Sequence, residues 1–170
     1  MTRWSAPTAA TSASLPFSVV EIAGKGHGCV ARRTIGIGER IIADPPLVVQ
    51  GPGMPSLQAA CNAMTPQAAA LYFALTQNVA RFGETKHITG IFATNGIPFV
   101  HKERRLSAIF PVVARFNHSC DSNATYKYNE TLGKLTVHAC KQIRPNEEIC
   151  VSYGFPASCL QREQRQQRLC

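Results

Sequence analysis

Short β-prone segments, broken by glycine and proline turns, limit the fold of this chain more than any other feature. They are predicted at residues 17–23, 29–33, 40–43, 47–49, 97–101, 124–128, 134–140 and 149–153. Residues 55–96 have a different pattern, in which Thr65 is a suitable N-cap and Pro66 suits the first helical position. Short strands around one helical insert are typical of a β-rich α+β domain and exclude an alternating βαβ sheet.

The composition predicts a single domain inside the cell. The 170 residues, 45% of them hydrophobic and 16% charged, allow one sizeable core. No apolar run reaches the roughly 18 residues that a membrane-spanning helix needs, so we expect no membrane association. Seven cysteines without a Cys-x-x-Cys pair argue against a disulfide framework and favour a reducing compartment. Residues 1–16 are rich in Ala, Ser, Thr and Pro, which predicts a disordered tail.

The charge of the chain is strongly basic, with a formal net charge of +8 that favours acidic partners. Its 18 Lys and Arg residues are scattered and form no run of five, which is not typical of a dedicated nucleic-acid reader. Nucleic-acid binding through Lys102, Arg104, Arg105 and the C-terminal arginines stays open as an alternative.

Residues 24–28 form a glycine-rich turn, Gly-Lys-Gly-His-Gly. The turn looks like half of a dinucleotide-binding fingerprint, but that motif must open a helix, and the residues that follow it here are β-prone. A hairpin turn whose glycines supply positive φ explains the segment structurally. The same glycines would let a ligand lie directly on the backbone, so both interpretations stay open.

Residues 115–124 concentrate amides, an imidazole, a hydroxyl and a thiol in the sequence Arg-Phe-Asn-His-Ser-Cys-Asp-Ser-Asn-Ala. A tight loop held by Asn and Asp side chains explains such a segment structurally. His118 and Cys120 are too close in sequence for a cysteine protease, which brings its thiolate and imidazole together from distant positions. They supply two metal ligands, yet a closed zinc site needs four and the chain has no second pair with ligand spacing.

Residues 146–154 place an acidic turn before a predicted strand that ends at Tyr153. Taken by itself, Tyr153 is a core or rim tyrosine. Together with the two segments above, and in this order, the segment resembles the SET domain of protein lysine methyltransferases. The turn at residues 24–28 is similar to the family's Gly-x-Gly loop. Residues 115–124 are close to its Arg-x-Asn-His-Ser-Cys-x-Pro-Asn-Ala signature, with Ser122 where proline is common.

Further segments extend the resemblance over about residues 17–168. Residues 35–47 are similar to the family's Gly-Glu turn and acid-Pro pair. Residues 143–154 are similar to its closing Gly-Glu-Glu and Ser-Tyr elements. Thr94-Asn95, after the helical insert, resembles the MYND-associated SET proteins, here without the MYND finger.

The resemblance implies a SET fold of several short-stranded sheets, with a helical insert at about residues 55–96 and a pseudoknot, in a domain of residues 17–157. It implies an S-adenosylmethionine-dependent protein-lysine N-methyltransferase that acts on a histone or non-histone protein. The cofactor would bind on one face of the domain. The substrate lysine would enter from the other face through a narrow channel and meet Tyr153, the implied catalytic residue. The implied cofactor-binding residues are Lys25, Gly26, His27, Asn95, Asn117, His118 and Tyr153.

The chain departs from the family pattern after the Ser-Tyr element. Residues 161–168 match the Arg-rich helix of many relatives, but the post-SET Cys-x-Cys cluster that holds zinc does not follow, so we interpret residues 158–170 as a C-terminal helix and truncated post-SET remnant. In place of that cluster, Cys120 would have at most Cys159 and Cys170 as thiol partners, and we expect no zinc site in this chain. The missing segment usually helps to form the substrate channel. The alternative is therefore a catalytically weak SET module that acts as a cofactor-binding or protein-interaction scaffold.

The expected partner is a protein or peptide that bears a lysine. The resemblance leaves association with chromatin open, as it does a nuclear or a cytoplasmic location. No compact basic import run decides between the two locations.

Overall fold

The computed structural model describes residues 15–154. Most of the predicted N-terminal tail, and the predicted C-terminal helix with its post-SET remnant, lie outside the described residues. The described chain divides into two compact units. Unit 1 comprises Leu15, Ala43–Arg115 and Lys127–Thr136, and unit 2 comprises Pro16–Ile42, Phe116–Tyr126 and residues 137–154.

The strands of the described residues are short, with six residues at most. They are β1 (Phe17–Ile22), β2 (Gly26–Ala31), β3 (Arg40–Asp44), β4 (Val48–Gln50), β5 (Ile97–His101), β6 (Arg104–Ile109), β7 (Asn117–His118), β8 (Ala124–Asn129), β9 (Lys134–Ala139) and β10 (Glu148–Val151). They form three sheets with the strand orders β1-β2-β10-β7, β3-β9-β8 and β4-β6-β5. This arrangement confirms the predicted β-rich α+β class.

The predicted helical insert consists of four short helices. They are α1 (Leu57–Asn62), α2 (Pro66–Phe73), α3 (Val79–Phe82) and α4 (Ile88–Asn95). Thr65 caps α2, as predicted, because its hydroxyl accepts a hydrogen bond from the Ala68 N–H at 3.2 Å. The apolar side chains of the insert pack into the core of unit 1, in which Tyr72, Leu75, Ile91 and Ile109 are buried.

A buried carboxylate supports the same unit. Asp44, at the end of β3, accepts hydrogen bonds from the N–H groups of Val112 and Val113, each at 2.8 Å, through one oxygen. These two residues lead into a short 3-10 helix, Val113–Arg115. The other oxygen of Asp44 is buried without a hydrogen-bond partner.

The four-stranded sheet belongs to unit 2 and positions the site. β1 and β2 form an antiparallel hairpin in which Phe17 pairs with Ala31 and Ile22 with Gly26. β10 lies antiparallel to β2, with Ile149 opposite Cys29. β7 lies parallel to β10 on its other side, so the segment around residue 117 is returned to the sheet that carries the glycine turn.

The structure differs from the sequence prediction in several strands. β6 was not predicted, because its two leading arginines, Arg104 and Arg105, hide the apolar residues that pair it with β4 and β5. The last strand ends at Val151 instead of Tyr153, so Tyr153 stands beyond the strand pairing.

Candidate active site

The glycine turn between β1 and β2 is exposed and its backbone is tightly bent. Gly24 and Gly26 have φ angles of 73° and 72°, which only glycine adopts at low cost, and the Lys25 N–H donates to the Ile22 carbonyl at 3.0 Å. The side chains of Lys25 and His27 lie at the surface. The hairpin interpretation is therefore correct, and the turn also presents backbone groups to solvent.

Gly28, just after the turn, is buried where two segments approach closely. A Cβ atom added at Gly28 would lie 2.7 Å from Asn117 Nδ2 and 3.0 Å from Glu148 Oε1, too close for any other residue without a shift. The rings of Phe17, in β1, and Phe116 are in tilted contact, with centroids 5.3 Å apart at 59°. The structure thus places the residue 116–118 segment beside the glycine-turn hairpin, as the resemblance to the SET domain implies.

Glu148 joins the two segments through both of its carboxylate oxygens. Oε2 accepts from Lys25 Nζ at 2.8 Å and Oε1 accepts from Asn117 Nδ2 at 2.8 Å. Burial raises the pKa of Glu148, but the bonds from Lys25 and Asn117 outweigh it and leave the pKa below its ordinary value. The hydrogen bond to Glu148 raises the pKa of Lys25, so both groups are charged at neutral pH.

Asn123 anchors the loop that follows His118. Its Nδ2 donates to Glu147 Oε1 at 3.1 Å and to the Glu148 carbonyl at 2.9 Å, and its Oδ1 accepts from the Cys150 N–H at 2.9 Å. The side chain is buried and its amide is bonded on both sides. Part of the concentration of polar residues in 115–124 is therefore structural, because the Asn123 side chain forms hydrogen bonds inside the fold.

Tyr153 is held by the residue 116–118 segment. Its hydroxyl donates to the carbonyl of Phe116 at 2.7 Å, and its backbone N–H donates to His118 Nδ1 at 3.0 Å. One flank of the residue stays open, with 56% of its surface exposed, while the hydroxyl points to the buried Phe116. Burial of the phenol raises the pKa of Tyr153 to about 12, so the hydroxyl is neutral at physiological pH.

The side chain of His118 bridges Tyr153 and Cys120. Its Nε2 lies 3.4 Å from Cys120 Sγ, and its ring centroid lies 5.3 Å from that of Tyr153. Burial lowers the pKa of His118, which keeps the imidazole neutral at pH 7. The resemblance implies that His118 binds the adenosine part of the cofactor, whereas in the structure its imidazole bonds to other residues of the site.

Asn95, the remaining implied cofactor ligand, ends α4 in unit 1. It is buried, and its Nδ2 donates to the carbonyls of Thr76 and Ile91 at 2.7 and 2.8 Å. These bonds fasten the end of the helical insert. Its predicted part in cofactor binding stays a prediction.

A cavity of about 340 Å³ opens in unit 2, and two of its lining residues, Ser152 and Gly154, flank Tyr153 in the sequence. It is lined by Cys120, Ser122, Ala124, Thr125, Tyr126, Ser152 and Gly154. Burial raises the pKa of Tyr126, so this phenol is neutral too. Sequence reasoning missed Tyr126, because a tyrosine in a strand looks like an ordinary core residue, and it missed Glu148 as the link between segments, because pairing of β2, β10 and β7 cannot be read from spacing.

Two properties concern metals and membranes. Within residues 15–154 no three His, Cys, Asp or Glu side chains are grouped so as to hold a metal ion. Cys159 and Cys170, the predicted thiol partners of Cys120, lie outside the described residues. No helix among the described residues has the length and apolar character needed to cross a membrane.

Comparison with known proteins agrees with this geometry. The SET domain family pattern matches residues 26–154, and the chain therefore belongs to the SET-domain family. It is 28% identical over 137 residues to the histone-lysine N-methyltransferase set5 of Schizosaccharomyces pombe, covering 81% of this chain and 41% of that protein. It is 51% identical over 47 residues to the N-lysine methyltransferase SMYD2 of Gallus gallus, covering 28% of this chain and 10% of that protein.

A solved structure supports the fold. The methyltransferase domain of human histone-lysine N-methyltransferase SETMAR superimposes with a TM-score of 0.51 at 19% identity, over 81% of this chain and 44% of that chain. This likeness concerns the fold alone. The chain spans less than half the length of the set5 and SMYD2 relatives that it matches.

Proposed function

We propose that this protein is an S-adenosylmethionine-dependent protein-lysine methyltransferase. Membership of the SET-domain family and the names of the relatives support this activity. The observation that carries the proposal is that one sheet places the glycine turn, at the start of β2, and Asn117, in β7, on either side of β10, with Tyr153 just beyond the end of β10. Any one of these features has a structural explanation, but their convergence is what a site for cofactor and amine requires.

The residues at the turn fit the cofactor. The methionine end of S-adenosylmethionine carries a carboxylate and an ammonium group, and the turn offers the Lys25 ammonium together with exposed backbone N–H and C=O groups. Nothing lies within 4 Å of the Cβ position of Gly26, so a ligand has room against the backbone. We assign Lys25, Gly26 and His27 to the methionine end, and Asn117 and His118 to the adenosine end, with Asn95 as a further predicted contact.

The His118 contact would use the backbone of the residue. Its Nδ1 already accepts from Tyr153, and its Nε2 lies against Cys120. The assignment of His118 to the cofactor therefore concerns its N–H and C=O groups.

The attacking lysine must be neutral, although its free pKa is about 10.4. When bound, the cofactor would supply a methyl group carried on a positive sulfur, which would leave as a neutral thioether, and the methylated amine would lose a proton to water. The Tyr153 hydroxyl donates its hydrogen bond to the Phe116 carbonyl, which leaves the lone pairs of its oxygen as acceptors. These lone pairs would orient the amine N–H groups, which is a positioning and electrostatic role.

The cavity lined by Ser152 and Gly154, which flank Tyr153 in the sequence, is the proposed entrance for the substrate lysine. Tyr126 and Ser152 supply polar groups and Ala124 an apolar wall. Partial removal of water there disfavours the ammonium form of lysine and lowers its pKa. No dedicated general base is required.

The proposed substrate is a protein or peptide that presents a lysine. The relatives are named for histone lysine in one case and for protein lysine in general in the other, so a histone tail and a non-histone segment are both candidates. Chromatin association follows only from the first. We propose an intracellular location, nuclear or cytoplasmic, in keeping with seven cysteines and no disulfide framework.

The test combines binding and transfer on the full chain. Calorimetry with S-adenosylmethionine should show one site, and a radiolabelled transfer assay on a protein panel should label lysine. Tyr153→Phe should lower turnover by about 100-fold, because a positioned polar group at the reacting centre is worth that order, and should change the cofactor Kd by less than about threefold. Tyr128→Phe, a matched change at a tyrosine stacked 4.3 Å from Phe99, should leave turnover near that of the wild type.

Two results would contradict the proposal. Cofactor binding with no transfer to any protein would favour the scaffold alternative. Equal losses of turnover and cofactor affinity in Tyr153→Phe would remove the positioning role from Tyr153.

A further inference from the structure

Tyr153 needs a support outside the sheet. β10 ends at Val151, and the last ladder contact on this side is the bond from the Ser119 N–H to the Val151 carbonyl at 3.0 Å. Tyr153 lies two residues further on, where no strand pairing fixes its backbone. A residue whose hydroxyl must be placed to within a fraction of an ångström therefore depends on local contacts.

The imidazole of His118 provides such a contact at the backbone end of the tyrosine. Nδ1 accepts from the Tyr153 N–H at 3.0 Å, and the two rings lie 5.3 Å apart at 47°. At the other end the hydroxyl donates to the Phe116 carbonyl at 2.7 Å. Residues 116 and 118 thus hold the tyrosine at both ends.

This bonding assigns the tautomer of His118. Because Nδ1 accepts a hydrogen bond, the ring proton must be on Nε2, which faces Cys120 Sγ at 3.4 Å. Both ring nitrogens are therefore engaged with protein atoms. A cofactor hydrogen bond to the imidazole would have to displace one of these contacts.

We propose that His118 is a positioning residue whose imidazole holds the backbone of Tyr153 in place for methyl transfer and makes no contact with the cofactor. The proposal rests on the proposed function for the transfer step. It separates two roles within one residue, because the backbone of His118 is available to the cofactor and its side chain belongs to Tyr153.

The substitutions that test this are chosen by atom position. The side-chain oxygen of His118→Asn stands near the place of Nδ1 and can accept from the Tyr153 N–H. The oxygen of His118→Gln stands near the place of Nε2 and cannot. His118→Ala removes both positions, and His138→Ala is the matched control, since His138 lies in β9 outside the site.

We expect His118→Ala and His118→Gln to lose about 10- to 100-fold in turnover, as is typical when a reacting group is misplaced by about an ångström. The Kd for S-adenosylmethionine should change by less than about threefold, by calorimetry. His118→Asn should recover most of the turnover, and His138→Ala should resemble the wild type. Amide hydrogen exchange of Tyr153, followed by NMR in the full chain, should be slow in the wild type and His118→Asn and fast in His118→Ala and His118→Gln.

Several outcomes would overturn the proposal. One is a His118→Asn variant that behaves like His118→Ala in turnover and in exchange. Another is a His118→Ala variant that keeps a protected Tyr153 amide but loses cofactor affinity tenfold. If His118→Ala does not fold, the comparison of His118→Asn with His118→Gln decides. If the wild type neither binds cofactor nor transfers methyl groups, the proposed function fails, and the exchange experiment still tests the support of Tyr153.

Discussion

Replacing Gly28 by alanine tests whether the glycine-turn hairpin and the Asn117 segment must approach as closely as they do. The new Cβ would lie 2.7 Å from Asn117 Nδ2, 2.7 Å from Ile22 Cγ1 and 3.0 Å from Glu148 Oε1. Ordinary contacts of a Cβ atom begin at 3.4 Å, so its nearest neighbours must retreat by about 0.7 Å (3.4 minus 2.7). Gly28 lies in β2, and these neighbours come from three other strands, β7, β1 and β10, so they cannot all move away freely.

Overpacking of this kind costs about 1–3 kcal/mol of unfolding free energy. For a chain of this length we expect the melting temperature to fall by about 2–10 °C. Asn117 is both the obstructing side chain and the donor to Glu148, so its displacement also disturbs the proposed cofactor site. A loss of about 1.4 kcal/mol there would raise the Kd for S-adenosylmethionine tenfold.

Thermal unfolding and calorimetry measure the two effects, with Gly36→Ala as the matched control. A Cβ at Gly36 would meet nothing closer than Glu39 Oε2 at 3.9 Å, and Gly36 does not have a positive φ. The control should stay within about 0.5 kcal/mol of the wild type. If Gly28→Ala melts and binds like Gly36→Ala, the close approach of the two segments is refuted.

Three further predictions follow from the charges and phenols. Glu148→Gln should lower the free energy of unfolding by less than about 1 kcal/mol in urea titrations, because the ion pair with Lys25 is partly exposed, and a larger loss would contradict this. All four tyrosines have raised pKa values, that of Tyr153 about 12, so the folded protein should show little tyrosinate absorbance at pH 10. Above pH 10 the folded state keeps phenol protons that the unfolded chain has lost. The free energy of unfolding should therefore fall as the pH rises from about 10 towards 12. Burial of Asp44 outweighs its two N–H hydrogen bonds and raises its pKa to about 7. Its contribution to the free energy of unfolding is therefore complete below its unfolded pKa and is lost as the pH rises towards 7. Asp44→Asn should flatten this dependence of the unfolding free energy on pH in urea titrations, and an unchanged dependence would contradict the assignment.

The resemblance to the SET family was sufficient to predict the meeting of the two main segments. Glycines at 24 and 26 need positive φ, and the density of polar side chains around Asn117 needs partners, so both point to special backbone positions. The helical insert was predictable for a simpler reason, because Thr65 and Pro66 mark the start of a helix by local chemistry alone.

Other features depend on contacts between distant residues and could not be predicted. The bonds of Glu148 to Lys25 and Asn117 require three strands to be in register. The imidazole of His118 meets the Tyr153 N–H only because β7 pairs parallel to β10, a pairing that no local pattern specifies. β6 was missed for a related reason, since its strand character comes from two neighbouring strands and not from Arg104 and Arg105.

The account depends on one claim, that the glycine turn and the residue 116–118 segment together bind S-adenosylmethionine beside Tyr153. An NMR titration of the 15N-labelled full chain with S-adenosylmethionine tests it most directly. We predict that the backbone amides of Gly26, His27, Asn117 and Tyr153 shift together and follow one dissociation constant. Binding detected by calorimetry that leaves these four amides unshifted, or no binding at all, would contradict the account.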